Sequence, residues 1–534
     1  MTADGLLTTA RATGAERLAL RCLQFGAVAA ALVVSTRTVF DLDRFFVPKE
    51  LVLHLTAVLA GLLTLRAMFR ARFTRIDWLL AGYLMLGVLS AAMATNRWLA
   101  LRALTLSASA LALFWVAREL RDAGLARPIL SALALAVVVA AATSLLQTYG
   151  AETVFFSQNR APGGTLGNRN FVAHAAAFGV PLLFFLALGA RHRRARLLGS
   201  AGVMMVTAVL VITRSRAAWL AFAVVLVVML LGVLLSPTLR RDGQTWKRLL
   251  RTAAVTIVGV AAALAIPNTL HWRSGNPYLE SMKRVADYQG GSGHGRLVQY
   301  GQSLLIAIRH PLFGVGPGNW PVQYPAHAAR NDPSMNESEP GMTSNPWPSS
   351  DWVAWLVERG IPAVALLALA FLGIAKSGLR QLFSARDVEQ GLCAVALLGT
   401  VAAALMAGLF DAVLLLAFPA LVVWTAAGAL FVDDEVVAPV TRPAAQRLVL
   451  IVVIVMAGLG AFRSARQLMA MEIAATHGDR LSLTRAARLD PGAYRMQLRL
   501  ARMGGRQRCE HARAARSLFP NAQAAIDAAR GCGK

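Results

Sequence analysis

The chain of 534 residues is 56% apolar and only 15% charged, against about a quarter charged in ordinary soluble domains, which excludes a disordered chain and a typical cytosolic enzyme. Its 54 Lys and Arg exceed its 28 Asp and Glu by 26, a bias that in a soluble protein would point to nucleic acid. Runs long enough to cross a bilayer, about 20 apolar residues each, exclude that partner and mark a polytopic membrane protein.

Apolar stretches fall near 18–35, 50–68, 77–94, 99–117, 126–147, 169–190, 197–213, 216–236, 249–266, 352–375, 389–409, 411–431 and 447–463. Within lipid only helices and closed barrels satisfy their backbone groups, and continuous runs of this length fit helices. The expected fold is therefore all-α, a polytopic transmembrane helix bundle of twelve to thirteen spans. It divides into N-terminal spans (1–266), a large loop (267–350), C-terminal spans (351–463) and a soluble helical tail (464–534). The first run reads as an anchor and not a cleaved leader, because so many others follow it.

With the N-terminus inside, the inner flanks of these spans hold 24 Lys and Arg and the short outer segments about eight. Such a bias orients membrane helices, and it makes most of the net charge topogenic. It puts both the large loop and the tail outside. A loop of this length is far more than a connector requires. The tail reads as short amphipathic helices broken at Leu489-Asp490-Pro491-Gly492, a capping or docking appendage with a faint likeness to one tetratricopeptide-type hairpin. In an oxidising compartment Cys509 and Cys532 would be free to pair, and the sequence leaves that open. Cys22 and Cys393 fall in or beside apolar runs as small hydrophobes, and no Cys/His spacing suggests a metal site.

Charges at membrane depth are expensive, so those away from the inner flanks are the best candidates for function. Thr213-Arg214-Ser215-Arg216 interrupts an otherwise continuous apolar stretch. The pair forms either a tight turn with snorkelling side chains or a site for an anionic lipid phosphate, which a guanidinium fork binds bidentately. Gly163-Gly164-Thr165-Leu166-Gly167-Asn168-Arg169 opens the next candidate region, a turn and helix cap in which Arg169 is placed to add to an anion site. In the large loop come Gly295-Arg296 and the stretch from Arg309 to Trp320, turn-rich and without the Gly-Lys-Ser/Thr ending of a nucleotide-binding loop. Asn345 to Trp352 leads into the span carrying Glu358-Arg359-Gly360. The aromatics there suit sugar faces as well as the interfacial belt.

In that order GTLGNRNF, SRAAW, GHGR, HPLFGVGPGNW, DWVAWLVERGIPA and GLFD resemble the O-antigen ligase and O-antigen polymerase superfamily, over about residues 160 to 430. The resemblance implies a multi-pass glycosyltransferase of the bacterial inner membrane with its active site facing the periplasm. It implies an undecaprenyl-diphosphate-linked glycan as donor, a lipid, glycan or protein hydroxyl as acceptor, and no cofactor or metal. Arg216 is similar to the arginine of the family's span-end motif and Arg296 to that of its loop Gly-Arg motif. Both would hold the diphosphate, with Arg214 and Arg169 beside them. Where the family has a His-Asn pair whose His activates the acceptor, this chain has Ser349 and Ser350. Serine is no base near neutral pH, so the expectation moves to Asp351, with His294, His310 and His327 as loop alternatives. Ser349, Ser350, Asn319 and Trp320 are expected at the substrate. A protein O-oligosaccharyltransferase, a lipid-glycan transporter and an inactive scaffold stay open beside a ligase or polymerase.

Overall fold

The computed structural model describes residues 12–190, 192–272, 275–283, 291–329, 331–432 and 443–532. Of the orienting arginines, Arg11, Arg191 and Arg442 lie outside the described residues. Helix α1 (Gly14–Leu32) starts on a capping box, in which Thr13 and Glu16 each take the other's amide proton through a side chain. Next come α2 (Asp43–Arg70), α3 (Arg75–Ala91), α4 (Arg97–Asp122) and α5 (Ala126–Thr148), with Thr74 and Asp77 repeating the capping box ahead of α3. Then follow α6 (Arg169–Gly189), α7 (Arg193–Ile212), α8 (Arg216–Leu235), the short α9 (Pro237–Arg241) and α10 (Gly243–Ala265). The large loop holds α11 (Pro277–Lys283), α12 (Gly291–Arg309) and α13 (Trp320–Gln323). Helices α14 (Asp351–Phe383), α15 (Val388–Ala407), α16 (Ala417–Leu430) and α17 (Pro443–Thr476) complete the bundle.

Ten of these helices are long and apolar enough to cross a membrane. The three remaining apolar stretches form α1, α3 and α16, of 19, 17 and 14 residues. Among the described residues every regular element is helical, so the chain is an all-helical, multi-pass membrane protein. Helix α6 is apolar all round and buried along nearly its whole length, which marks it as the centre of the bundle.

Helix α14 is broken at Gly360, which has φ 80° and ψ 172°. Backbone freed at membrane depth must find partners within the protein. The stretch after α12 supplies them: the Ile361 amide donates to the Pro311 carbonyl at 2.8 Å, Val315 to Val357 at 2.9 Å and Gly316 to Glu358 at 3.1 Å. The Glu358 carboxylate in turn accepts from the Gly318 amide at 2.8 Å and the Trp320 amide at 3.4 Å. A Cβ on residue 360 would stand 2.4 Å from the Leu312 carbonyl oxygen. Gly360→Ala is therefore expected to cost at least about 1–3 kcal/mol, through both a left-handed backbone and this overlap. Thermal unfolding of the purified protein in detergent measures it, and an unchanged midpoint would contradict the role given to the break.

Helix α17 continues through the boundary expected near 463 to Thr476, and four short helices follow: α18 (Arg480–Leu489), α19 (Tyr494–Arg502), α20 (Arg508–Leu518) and α21 (Gln523–Ala529). Cys509, at the start of α20, and Cys532, just beyond α21, form a disulfide. This tail packs on the large loop and on the α3–α4 turn. The Gln523 amide donates to the Pro340 carbonyl at 2.9 Å, the Asn521 side chain to Val322 at 3.0 Å and the Asn96 side chain to Leu518 at 3.3 Å.

Candidate active site

Two tight connections bring basic residues together on the loop side of the bundle. In the first, Gly167 (φ 77°) lets the chain turn against Phe45, whose ring would be 2.4 Å from a Cβ there. The Asn168 side chain then accepts from the Asn170 amide at 3.0 Å and starts α6 at Arg169. In the second, only Thr213, Arg214 and Ser215 separate α7 from α8, and Arg214 takes φ 56°. A non-glycine residue pays about 1–2 kcal/mol for that conformation, and such strain clusters at functional sites. Helix α12 adds Arg296 from the large loop.

Arg169, Arg214, Arg216 and Arg296 line one cavity of about 380 Å³, with Ser215, Glu280 and Ser281. Arg214 Nε donates to Ser281 Oγ at 2.8 Å. The guanidinium groups of Arg214 and Arg169 stand 4.6 and 5.3 Å from the ring centroid of Trp272, which positions both. Burial lowers the pKa of Arg214, and Glu280 and Tyr278 oppose that shift. An arginine starts so high that it stays a cation. Four guanidinium groups thus face one carboxylate, a cradle with the charge and geometry for a multiply charged anion. Trp272 carries no motif, and nothing local in the sequence singles it out.

A second cavity, of about 640 Å³, shares Asn170 and Arg296 with the first, and His294, Gln299, Trp347, Ser349 and Asp411 also line it. Asp411 lies on the turn between α15 and α16. Its Oδ2 accepts from the Asn170 side chain at 3.1 Å, and its Oδ1 from the Ala412 amide at 2.9 Å. His174 Nε2 sits 3.8 Å behind it. That histidine is 1% exposed, and neither ring nitrogen has a hydrogen-bond partner among the described residues. Sequence reasoning assigned no role to either residue. An ionisable side chain within the apolar run of α6 was the available signal for His174.

The other expected site residues have different surroundings. Ser349 faces the second cavity, its amide held by Gln299 Oε1 at 2.6 Å. Ser350 is a helix cap: its Oγ accepts from the Val353 amide at 3.4 Å and donates to the Gly408 carbonyl at 3.0 Å. Asp351 lines neither cavity. It is 1% exposed, and its two oxygens accept from the Val413 and Leu414 amides at 2.9 and 2.8 Å. Its carboxylate is thereby engaged in holding the turn that carries Asp411, and is not presented to a hydroxyl acceptor. Asn319 and Trp320 are fully buried. The Asn319 side chain accepts from the Asn96 amide at 2.7 Å and donates to the Asn96 carbonyl at 3.0 Å, while Trp320 Nε1 donates to Ser303 at 2.9 Å. They join the loop to the α3–α4 turn and to α12, away from both cavities. Of the loop histidines only His294 reaches the second cavity. His327 is paired with Arg309 at 3.0 Å.

No curated protein matches the chain. Residues 201–368 match the family model described as O-antigen ligase. The matched segment contains Arg214, Arg216 and Arg296 of the cradle, all of α12, and the break in α14, while Arg169, His174 and Asp411 lie outside it. Over residues 201–368, therefore, the chain is similar to the O-antigen ligase family.

Proposed function

We propose that the protein is a membrane glycosyltransferase that moves a glycan from an undecaprenyl-diphosphate-linked donor to a hydroxyl acceptor, in surface polysaccharide assembly. One observation carries this reading: four arginines from three separate regions of the chain converge on a single cavity that adjoins a carboxylate-bearing one. The cradle of Arg169, Arg214, Arg216 and Arg296 holds the diphosphate. In the transfer step an acceptor hydroxyl oxygen bonds to the anomeric carbon, the bond from that carbon to the phosphate oxygen breaks, and the diphosphate leaves with the electron pair. Asp411 takes the hydroxyl proton, and the arginines stabilise the charge that develops on the leaving group. Asp351 and Asn170 act as positioning residues for Asp411.

The Lys and Arg distribution supports a periplasmic location for both cavities in the bacterial inner membrane. So does the disulfide in the tail that packs on the same side. Purified protein in bilayers, given an undecaprenyl-diphosphate-linked glycan and a hydroxyl acceptor, is expected to release undecaprenyl diphosphate as the acceptor gains the glycan. Donor that is bound or carried across the bilayer without cleavage would replace this reading with that of a transporter.

A further inference from the structure

We infer that His174 is a positioning residue for Asp411, and that the two form a pair which holds the acceptor's proton between carboxylate and imidazole during transfer. This deepens the transferase reading and rests on it, since it takes Asp411 as the base. His174 is 1% exposed within the apolar length of α6, where an ionisable side chain is by default a candidate for function. It follows Asn170 by four residues, so the two share one face of the helix. That face meets Asp411: Asn170 donates to Asp411 Oδ2 at 3.1 Å, and His174 Nε2 stands 3.8 Å from the same oxygen. Neither ring nitrogen makes a hydrogen bond among the described residues. Asp411 lines the second cavity and His174 does not, so the carboxylate stands between that cavity and the ring.

A separation of 3.8 Å is too long for a hydrogen bond, and a buried polar ring left without one is costly. Capture of a proton by Asp411 closes the gap. As the acceptor oxygen bonds to the anomeric carbon and the diphosphate leaves with the electron pair, the hydroxyl proton passes to Oδ2, which then shares it with Nε2. Catalytic hydrogen bonds are often long in a free enzyme and tighten during reaction. Oδ1 stays on the Ala412 amide throughout. When product leaves, the proton returns through Asp411 and the second cavity to solvent. A shared proton is held more firmly than one on a lone carboxyl, so the pair is a stronger base than Asp411 alone.

Other charges reach the pair from the cavity side: Arg296 and His294 on α12, Arg160 from the α5–α6 connection, and Asp351 at the start of α14. Arg169 on α6 and Arg216 at the start of α8 line the adjoining cradle. Helices α5, α7, α10 and α15 bring theirs to the far end of α6. There Arg127, Arg196 and Arg248 donate to the carbonyls of residues 188 to 190, and Glu389 pairs with Arg127. That end is about 21 Å from His174 at the helical rise.

The test is the pH dependence of transfer by the full-length protein in bilayers, with His294→Gln in every sample because a histidine in the cavity has a titration of its own. In that background His174→Gln, which takes no proton, should lower the rate by about ten- to a hundredfold, the worth of one hydrogen bond to a charged group. The acid limb of its profile should move to lower pH, because Asp411 without its partner holds a proton less firmly. A ring that only filled space would alter stability and leave the limb in place. An unmoved limb in folded His174→Gln protein overturns the inference. A second measurement needs neither activity nor that variant: solid-state NMR of histidine ring nitrogens in bilayers. His174 and His327 are the histidines preceded by alanine, so with His327→Gln present, labelling alanine carbonyls and histidine nitrogens picks out His174 alone. Asp411→Asn should lower the pH at which this ring takes its proton, and a ring indifferent to that substitution overturns the pair. If the coupling is present but the wild type transfers no glycan, the transferase reading fails and the pair stands. Transfer without the coupling removes the pair alone.

Discussion

Replacing Arg216 or Arg296 by alanine is expected to slow glycan transfer by about two to three orders of magnitude, the usual loss when one preorganised donor to a developing negative charge is removed. Both side chains line the cradle and neither belongs to the packed core. Membrane insertion and thermal stability should therefore stay near wild type. Lysine at either position keeps the charge but not the planar fork, so it should recover only part of the rate. The measurement is the initial rate of undecaprenyl diphosphate release by purified protein in bilayers. Rates within tenfold of wild type for both alanine variants would remove the cradle from the mechanism.

Asp411→Asn is the second large effect, an expected loss of about 10²–10⁴ in rate if this carboxylate is the base. Asp351→Asn should behave differently. Its carboxylate accepts from two backbone amides on the turn that carries Asp411, and an amide side chain would turn an NH₂ donor towards one of those N–H groups. An unsatisfied buried pair of this kind costs about 1–3 kcal/mol. The melting temperature should fall, and the KM for the acceptor should rise along with the loss of rate. Asp411→Asn, whose side chain faces a cavity, should keep the wild-type melting temperature and lose kcat. If Asp351→Asn abolished transfer at unchanged stability while Asp411→Asn remained active, the two roles would have to be exchanged.

These variants separate residues that look alike in the sequence. Asp351 and Asp411 both stand next to a span, and nearness to Ser349 and Ser350, where the family has its His-Asn pair, favoured Asp351. The difference lies in hydrogen-bond partners 62 and 63 residues away, which no local pattern reports. The stretch from Pro311 to Trp320 misleads in the same way. Its glycines and prolines promise a binding loop, yet its amides and carbonyls serve the break at Gly360, and its asparagine and tryptophan are buried. Helix α12 was masked by the glycines at its start. The disulfide between Cys509 and Cys532 depended on a tail fold that composition leaves open.

What the amino-acid sequence determined by itself was everything the bilayer enforces locally: the helical class, the number of apolar segments, and the arginines whose position near lipid demands a reason. Each of these follows from the cost of exposing backbone or charge to hydrocarbon, which is paid residue by residue. Only the tertiary structure decided which of those charges meet. Arg169, Arg214, Arg216 and Arg296 share a cavity, Asp411 faces the next one with His174 behind it, and Asp351 turns inward. Such juxtapositions depend on how α6, α8, α12, α14 and α16 pack, a property of contacts between distant segments.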